Sequence, residues 1–206
     1  MYNNVDDMFY EKLRGGTMAT IFENNSIRIR EASIADAEEL FRIISDQDVM
    51  EYYGMKPCAN LEGAKEEILW FQSLAKNNQG FRWIIADKKS NKYIGDIGVF
   101  GFEPIHNRIE IGFKLQQAHW NKGIMSECIQ KVLEFSFLKN QYNRVEALVD
   151  PRNKGCQMTL KKSGFTLEGT LREYEFENGQ YIDLQLYSII KREFIVYNSS
   201  VNCCKL

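Results

Sequence analysis

The chain has 206 residues, of which 44% are hydrophobic and 26% are charged, and this size and composition favour one compact domain of mixed helices and strands. Its 26 basic and 28 acidic side chains give a formal net charge of -2. No broad positive field is therefore available to attract nucleic acid or an anionic membrane, and we expect neither as a partner. Any anionic ligand must be held by local groups.

Cysteine usage and the two ends of the chain bear on its compartment. The five cysteines are odd in number and unevenly spread, which fits neither a disulfide framework nor paired Cys-x-x-Cys metal spacing. The first residues are acidic and polar, and no run approaches the roughly 18 apolar residues that a membrane span needs. We expect a reduced, cytoplasmic protein without a metal site. One domain is predicted at 26–194, between flexible segments at 1–25 and 195–206.

The first predicted elements are a strand and two helices. The stretch IRIREA, which begins at Ile27, alternates apolar and charged residues as a half-buried strand does. Ser33, followed by Asp36 at the third helical position, is a helix-capping signal. A second helix is predicted from about Asn60 to Lys76, because its apolar residues recur at three-to-four spacing.

The next elements are three short strands and a third helix. FRWIIADKK, KYIGDIGVFGF and NRIEIGFKL are rich in β-forming residues and are separated by turn signals, which predicts an antiparallel meander. The third helix begins near Gly123. Its predicted buried stripe contains Met125, Cys128, Ile129, Val132 and Leu133.

The last elements are a strand, a short helix and a hairpin. RVEALVD is the strand, Asn153 can cap the fourth helix, and Gly164 can end it. FTLEGTLREYEF and GQYIDLQLYSII flank a predicted turn at Asn178 and Gly179. The predicted order is therefore β-α-α-β-β-β-α-β-α-β-β.

The stretch WNKGIMSE, residues 120–127, joins a predicted strand to the third helix. The first amides of a helix have no intrahelical partners, and the positive end of the helix dipole favours an anion such as a diphosphate. Gly123 lets such a ligand approach the main chain without a Cβ in the way. The alternative is an ordinary loop in which Asn121 or Ser126 caps the helix. The glycine patterns of nucleoside-triphosphate and dinucleotide loops are missing.

Three motifs in series resemble the GNAT superfamily of acyl-coenzyme A dependent N-acetyltransferases, in the branch similar to ribosomal-protein N-terminal acetyltransferases. They are WNKGIMSE, NKGCQMTLKKSGF and FTLEGTLREYEFENGQYIDLQLYSII, and the resemblance covers about residues 26–194. It implies an α+β fold with a mixed, mostly antiparallel central sheet of about seven strands and about four helices, splayed between the fourth and fifth strands. It also implies acetyl-CoA as the cosubstrate.

The resemblance assigns the coenzyme to main-chain groups. In the family, a Gln/Arg-x-x-Gly-x-Gly/Ala loop takes the pyrophosphate, and here only Gly123 matches that loop strictly. Asn121 stands where the branch usually has glycine, although asparagine tolerates a left-handed backbone. The pantetheine arm would pair as a pseudo-strand with the open edge of NRIEIGFKL. For Asn153, capping of the fourth helix is the alternative role. The coenzyme-binding residues implied in this way are Phe113, Leu115, Asn121, Lys122, Gly123, Ile124, Met125, Ser126 and Asn153.

Direct attack by an amine needs a group that accepts a proton, because an alkyl amine is mostly protonated at neutral pH. Glu110 alternates with Ile109 and Ile111, so it should project from the opposite face of the strand, towards the cleft. The alternative for Glu110 is a surface carboxylate paired with a neighbouring Lys or Arg. His119 has a more suitable ordinary pKa, but it precedes the pyrophosphate loop and would lie far from the coenzyme sulfur.

Cys156 stands where the branch has serine, and it is the candidate proton donor to the leaving thiolate. The alternative is a chemically idle, half-buried cysteine in the first turn of a helix. No histidine is placed to activate Cys156 for a covalent acetyl-cysteine route.

The resemblance to the GNAT superfamily also leads us to expect a function. It implies transfer of an acetyl group from acetyl-CoA to a primary amine by direct attack in a ternary complex. The N-terminal amine of a protein is one acceptor, and a polyamine, an amino acid or an aminoglycoside is the alternative. A coenzyme-binding sensor without turnover and an interaction domain without a coenzyme site are the competing classes. The β-rich C-terminal hairpin could pair subunits as a homodimer.

Overall fold

A computed structural model of the protein describes residues 20–177 and 179–196. Its strands are β1 (Thr20–Glu23), β2 (Ile27–Glu31), β3 (Gly80–Asp87), β4 (Tyr93–Glu103), β5 (Arg108–Leu115), β6 (Arg144–Val149), β7 (Thr166–Glu177) and β8 (Gln180–Ile190). Its helices are α1 (Ala37–Ile44), α2 (Gln47–Met50), α3 (Leu61–Lys76), α4 (Ile124–Glu134), α5 (Lys154–Lys162) and α6 (191–196). A π-helical segment, Phe135–Lys139, extends α4.

The strands form one sheet in the order β1-β2-β3-β4-β5-β6-β8-β7. Every neighbouring pair is antiparallel except β5 and β6, which run parallel. The predicted mixed, mostly antiparallel sheet is confirmed, and the helices lie on both of its faces.

The element count differs from the prediction in three places. A strand, TIFE, lies inside the segment predicted as a flexible extension, because it pairs with β2. The four-residue α2 and the C-terminal α6 raise the predicted four helices to six within the described residues. Helix α6 also reaches position 196, inside the predicted flexible tail. Of the predicted hairpin turn, Gly179 has a left-handed backbone (φ 86°), and Asn178 lies outside the described residues.

Local capping sets where the helices begin. Ser33 and Asp36 form the predicted capping box at the 3-10 turn Ile34–Asp36, which leads into α1, and the Ser33 amide donates to the Asp36 carboxylate at 2.8 Å. Asp36 also forms a buried ion pair with Arg30 at 2.6 Å, which ties the helix start to β2. The Asn60 side chain accepts from the Gly63 amide at 3.0 Å at the start of α3. These side chains satisfy amides that a helix leaves without partners.

The core has two parts, one on each face of the sheet. On one face the predicted stripe of α4 is buried against β5 and its neighbours, including Ile109 and Ile111. On the other face α1 and α3 pack against Ile84 and Tyr93. Apolar burial of this kind is the main stabilising contribution to such a domain. No helix in the described part of the chain is long and apolar enough to cross a membrane.

Candidate active site

Strands β5 and β6 separate after three residue pairs. The parallel pairs are Arg108 with Arg144, Ile109 with Val145, and Glu110 with Glu146. Beyond them, in the described ranges, β5 is paired only with β4, and β6 is paired only with β8. The predicted splay between these two strands is therefore confirmed.

The open edge of β5 presents main-chain groups to this gap. The Gln116 amide donates to the Ile94 carbonyl in β4 at 2.9 Å. Main-chain groups alternate in direction along a strand, so those of Phe113 and Leu115 point away from β4 and towards the gap. Unpaired edge groups of this kind can pair with an added extended segment. The edge is thus suited to the two amides of a pantetheine arm.

The loop before α4 aims further amides in one direction. Asn121 and Gly123 both have left-handed backbones, with φ of 58° and 78°. Gly123 precedes the first turn of α4 and supplies no side-chain cap. The amides of Ile124, Met125 and Ser126 donate to no acceptor within residues 20–177 and 179–196. The predicted alternative, in which Asn121 or Ser126 caps the helix, is wrong.

Gly123, directly before these amides, borders open space. A Cβ built on Gly123 would meet no atom within 4 Å. Three amides and the positive end of a helix dipole therefore face an accessible region, which suits two linked phosphates. The donor set fits the diphosphate of coenzyme A.

Trp120 connects the loop to the end of β5. Its indole nitrogen donates to the Leu115 carbonyl at 2.7 Å. This contact modifies the prediction for Leu115, because one acceptor site of its carbonyl is already used by the protein. Within the part of the chain that the structure describes, the main-chain groups of Phe113 carry no such contact.

A buried charge network holds the second half of β5, where β6 no longer supports it. Lys114 forms an ion pair with Glu67 of α3, lies 3.6 Å from Asp96, and sits 5.0 Å from the ring centre of Tyr53. Arg82 donates to Asp96 and to the Tyr53 hydroxyl, each at 2.7 Å. Burial by itself lowers the pKa of Lys114, yet Asp96, Tyr53 and Glu67 raise it above its ordinary value. The network therefore stays charged and fixes the open edge against α3.

Glu110 is the last residue of β5 that pairs with β6. Its side chain is half-buried on the face opposite the buried Ile109 and Ile111, as the alternation predicts. Burial raises the pKa of Glu110 to about 7, the carboxylates of Glu175 and Glu146 add to that rise, and the charge of Arg108 opposes it. Glu110 forms no ion pair or hydrogen bond through its side chain within the described residues. The alternative of a surface carboxylate paired with a base is therefore wrong.

Asn153 and Cys156 lie at the start of α5, which follows β6. The Asn153 side chain accepts from the Cys156 amide at 2.9 Å, so it has the capping role that was its predicted alternative. Cys156 is half-buried, and burial raises the pKa of its thiol to about 12. At neutral pH the Cys156 thiol is protonated.

The candidate residues thus fall into three groups, on β5 and on the segments that follow β5 and β6 along the chain. Phe113, Leu115 and Glu110 lie on β5, residues 121–126 form the loop and first turn of α4, and Asn153 with Cys156 begins α5. In the described residues no group of His, Cys, Asp and Glu is arranged to hold a metal ion. His119 lies in the turn after β5 and is separated along the chain from Glu110.

Three features of the site were missed by sequence reasoning. They are the Trp120 contact with Leu115, the Lys114 network, and the pairing of Arg108 with Glu146. The alternation of NRIEIGFKL does place Lys114 on the same face as Glu110, which was the available signal. Nothing local indicates the partner that each side chain takes.

The chain matches the family described as Acetyltransferase (GNAT) domain over residues 26–166. It is 34% identical over 174 residues to the uncharacterized N-acetyltransferase YoaA of Bacillus subtilis, covering 84% of this chain and 98% of YoaA. The chain therefore belongs to the GNAT acetyltransferase family and is an acetyltransferase. Members of this family use acetyl-CoA and an amine acceptor.

Two solved structures share the fold at lower identity. The ribosomal L7/L12 alpha-N-protein acetyltransferase RimL, in complex with coenzyme A, aligns with a TM-score of 0.74 at 20% identity, covering 84% of this chain and 98% of RimL. The spermidine N-acetyltransferase of Vibrio cholerae, in complex with coenzyme A and spermine, aligns with a TM-score of 0.72 at 21% identity, covering 84% and 99%. At this identity the likeness establishes the fold alone.

Proposed function

We propose that the protein transfers an acetyl group from acetyl-CoA to a primary amine by direct attack, with Glu110 as the proton acceptor. The observation that carries this proposal is the position of Glu110. The Glu110 side chain is an unpaired carboxylate with a pKa of about 7, and it lies where β5 and β6 part. A base with a pKa close to the working pH combines the correct protonation state with useful basicity.

Main-chain groups bind the coenzyme in this proposal. The amides of Gly123, Ile124, Met125 and Ser126 would donate to the diphosphate, with Asn121 and Lys122 shaping the loop. The edge of β5 at Phe113 and Leu115 would pair with the pantetheine arm. Asn153 would align the arm through the main chain of α5, because its side chain already caps that helix.

Bound acetyl-CoA supplies an acetyl group activated as a thioester. Glu110 takes a proton from the acceptor nitrogen, so that the nitrogen lone pair can form the new C–N bond while the C–S bond breaks. We propose that the protonated thiol of Cys156 donates a hydrogen bond to the departing sulfur. A thiol of pKa about 12 gives up its proton less readily than an ordinary thiol. The role proposed for Cys156 is therefore hydrogen bonding, with solvent as the final proton source for the thiolate.

The N-terminal amine of a protein is the acceptor that we propose. RimL, which acts on ribosomal L7/L12, supports it through the shared fold. A polyamine is the second candidate, because the spermidine N-acetyltransferase has the same fold. Loops determine acceptor choice in folds of this kind, and here the loop between α2 and α3 is held over the sheet through Tyr53.

A homodimer formed through the C-terminal hairpin is the assembly that we propose. Strand β7 is an edge strand, and the large side chains of Tyr174, Phe176 and Tyr181 in the hairpin are exposed. An exposed edge and exposed aromatic side chains favour strand pairing between copies. Sedimentation velocity would detect the dimer.

The test is a thiol-release assay with acetyl-CoA and a panel of N-terminal peptides, polyamines, amino acids and aminoglycosides. We expect release with at least one acceptor, and a pH profile of kcat that rises through about pH 7 because Glu110 must lose its proton to act. We expect no fall on the alkaline side up to about pH 9, because the thiol of Cys156 stays protonated there.

Two results would contradict this account. Folded protein that binds coenzyme A but releases no thiol with any acceptor would support a sensor without turnover. A kcat that is independent of pH between 5.5 and 8 would remove Glu110 as the base.

A further inference from the structure

Four charged residues lie together where β5 and β6 are still paired. Arg108 and Glu110 stand two positions apart on one face of β5, and Arg144 and Glu146 occupy the matching positions on β6. Two positions along a strand span roughly 7 Å, which an arginine side chain can reach. Arg108 could therefore pair with either Glu110 or Glu146.

In the structure, Glu146 pairs with both Arg108 and Arg144. Arg108 donates to one Glu146 oxygen at 2.7 Å, and Arg144 donates to the other at 2.6 Å. Arg144 also forms a two-point contact with Glu168 at 2.7 and 2.6 Å, and Ser188 donates to Glu168 at 2.5 Å. The result is a chain of alternating charges in which both oxygens of Glu146 are occupied.

The other groups around Glu110 cannot neutralise it. On β7 the carboxylate of Glu175 acts on Glu110 and repels it. On β4 the residue paired with Glu110 is the uncharged Phe100. On β3 the side chain of Arg82 lies over Gly112, but its guanidinium is hydrogen-bonded to Asp96 and Tyr53.

Lys114, further along β5, is likewise held by Glu67 and Asp96. Among the described charged groups that face Glu110, Arg108 is therefore the cation whose choice of partner decides whether Glu110 stays unpaired. The side chain of Arg108 is 43% exposed, so it is free to turn from one carboxylate to the other.

We propose that Glu146 is a positioning residue that engages Arg108 and so keeps the carboxylate of Glu110 unpaired and able to accept the proton of the acceptor amine. This inference rests on the proposed role of Glu110. It predicts that removing the charge of Glu146 releases Arg108 to Glu110, because a carboxylate is a stronger partner for a guanidinium than an amide is. Glu146 would thus act on the reaction through Arg108, in addition to the direct effect of its own charge, which raises the pKa of Glu110.

The first test is the variant Glu146→Gln, measured by its pH profile of kcat. Pairing with Arg108 favours the ionised form of Glu110. The pH at which kcat is half-maximal should therefore fall by about one unit or more, and the plateau should fall about threefold to tenfold because Glu110 becomes a weaker base. An unchanged half-maximal pH would contradict the proposal.

A second variant separates the two ways in which Glu146 can act. Loss of its negative charge favours ionisation of Glu110 even if Arg108 does not move. Arg108 already lowers the pKa of Glu110 from its place beside Glu146, so Arg108→Gln is measured alone and in the double variant Arg108→Gln/Glu146→Gln. We expect the removal of Arg108 to raise the half-maximal pH more in the Glu146→Gln background than in the unmodified protein. An equal rise in the two backgrounds would overturn the proposal.

A direct measurement of Glu110 keeps this test independent of turnover. The carboxyl 13C resonance of Glu110, assigned by its loss in Glu110→Gln, reports the pKa of that group in the resting protein. We expect that pKa to fall in Glu146→Gln and to rise again in the double variant. If the unmodified protein shows no acetyl transfer, the proposed function fails, while this titration still decides the role of Glu146.

A matched control is Glu39→Gln. Glu39 also pairs with an arginine, Arg42, at 3.0 Å, but it lies on α1. We expect its pH profile and its Glu110 resonance to match those of the unmodified protein. An unchanged Glu110 pKa in Glu146→Gln, with thermal unfolding that confirms a folded protein, would overturn the proposal.

Discussion

Replacing Glu110 by glutamine is expected to lower kcat/KM by about 10²–10⁴-fold, the range found when a positioned proton acceptor is removed. Glutamine keeps the size and shape of the side chain but cannot take a proton. The loss should be largest above pH 7, where the native carboxylate is ionised. Steady-state kinetics with saturating acetyl-CoA would measure it.

The same substitution is expected to stabilise the folded protein at pH 8. Burial raises the folded-state pKa of Glu110 from 4.5 to about 7, so ionisation of this carboxyl destabilises the fold. The destabilisation is absent below the unfolded value, develops as the pH rises between the two values, and is complete above the folded value. It amounts to about 1–3 kcal/mol, which corresponds to a Tm increase of about 2–10 °C for a chain of this size.

Thermal unfolding of the two proteins at pH 8 and at pH 4.5 would check this expectation. The difference in Tm should be present at the higher pH and close to zero at the lower one. Glu39→Gln serves again as the control, because Glu39 is ion-paired on α1 and should show no such gain. Full activity of Glu110→Gln, or a lower Tm at pH 8, would contradict the role assigned to Glu110.

Replacing Gly123 by alanine is expected to weaken coenzyme A binding by about 10–100-fold, since charge-assisted hydrogen bonds from the neighbouring amides would be weakened or lost. The added Cβ would enter the open region in front of the first turn of α4. It would also disfavour the left-handed backbone at φ 78°, at about 1–2 kcal/mol. Calorimetric titration with coenzyme A would measure the change in affinity.

Gly179→Ala is the matched control for this experiment. Gly179 has φ of 86°, and a Cβ built on it also meets no atom within 4 Å. Both substitutions should therefore reduce stability by a similar amount, but only Gly123→Ala should change the dissociation constant of coenzyme A. Equal affinities in the two variants would show that the loop before α4 does not hold the diphosphate.

Features that depend on neighbouring residues in the chain could be predicted from the sequence. The capping box of Ser33 and Asp36, the buried stripe of α4, and the position of Glu110 opposite Ile109 all follow from fixed helical and strand periods. The left-handed conformation of Asn121 likewise follows from the tolerance of asparagine for that region. The helical and strand periods determine which face each side chain occupies, and they do so independently of the rest of the fold.

Features that depend on distant residues could not be predicted in the same way. Strand β1 is only four residues long and exists because β2 offers it an edge. Arg108 and Glu146 are 38 positions apart, and no local pattern indicates which carboxylate pairs with Arg108. The contact of the Trp120 indole with the Leu115 carbonyl is short in sequence, but it depends on the turn at Gln117–His119 that brings the two residues together.

We propose that the first amides of α4 and the open edge of β5 hold coenzyme A. The most direct measurement is a titration of 15N-labelled protein with coenzyme A, followed by amide NMR. We predict the largest shifts at the amides of Gly123, Ile124, Met125 and Ser126, with a second group at Phe113. Saturable binding that leaves these amides unshifted and moves resonances elsewhere would contradict the claim.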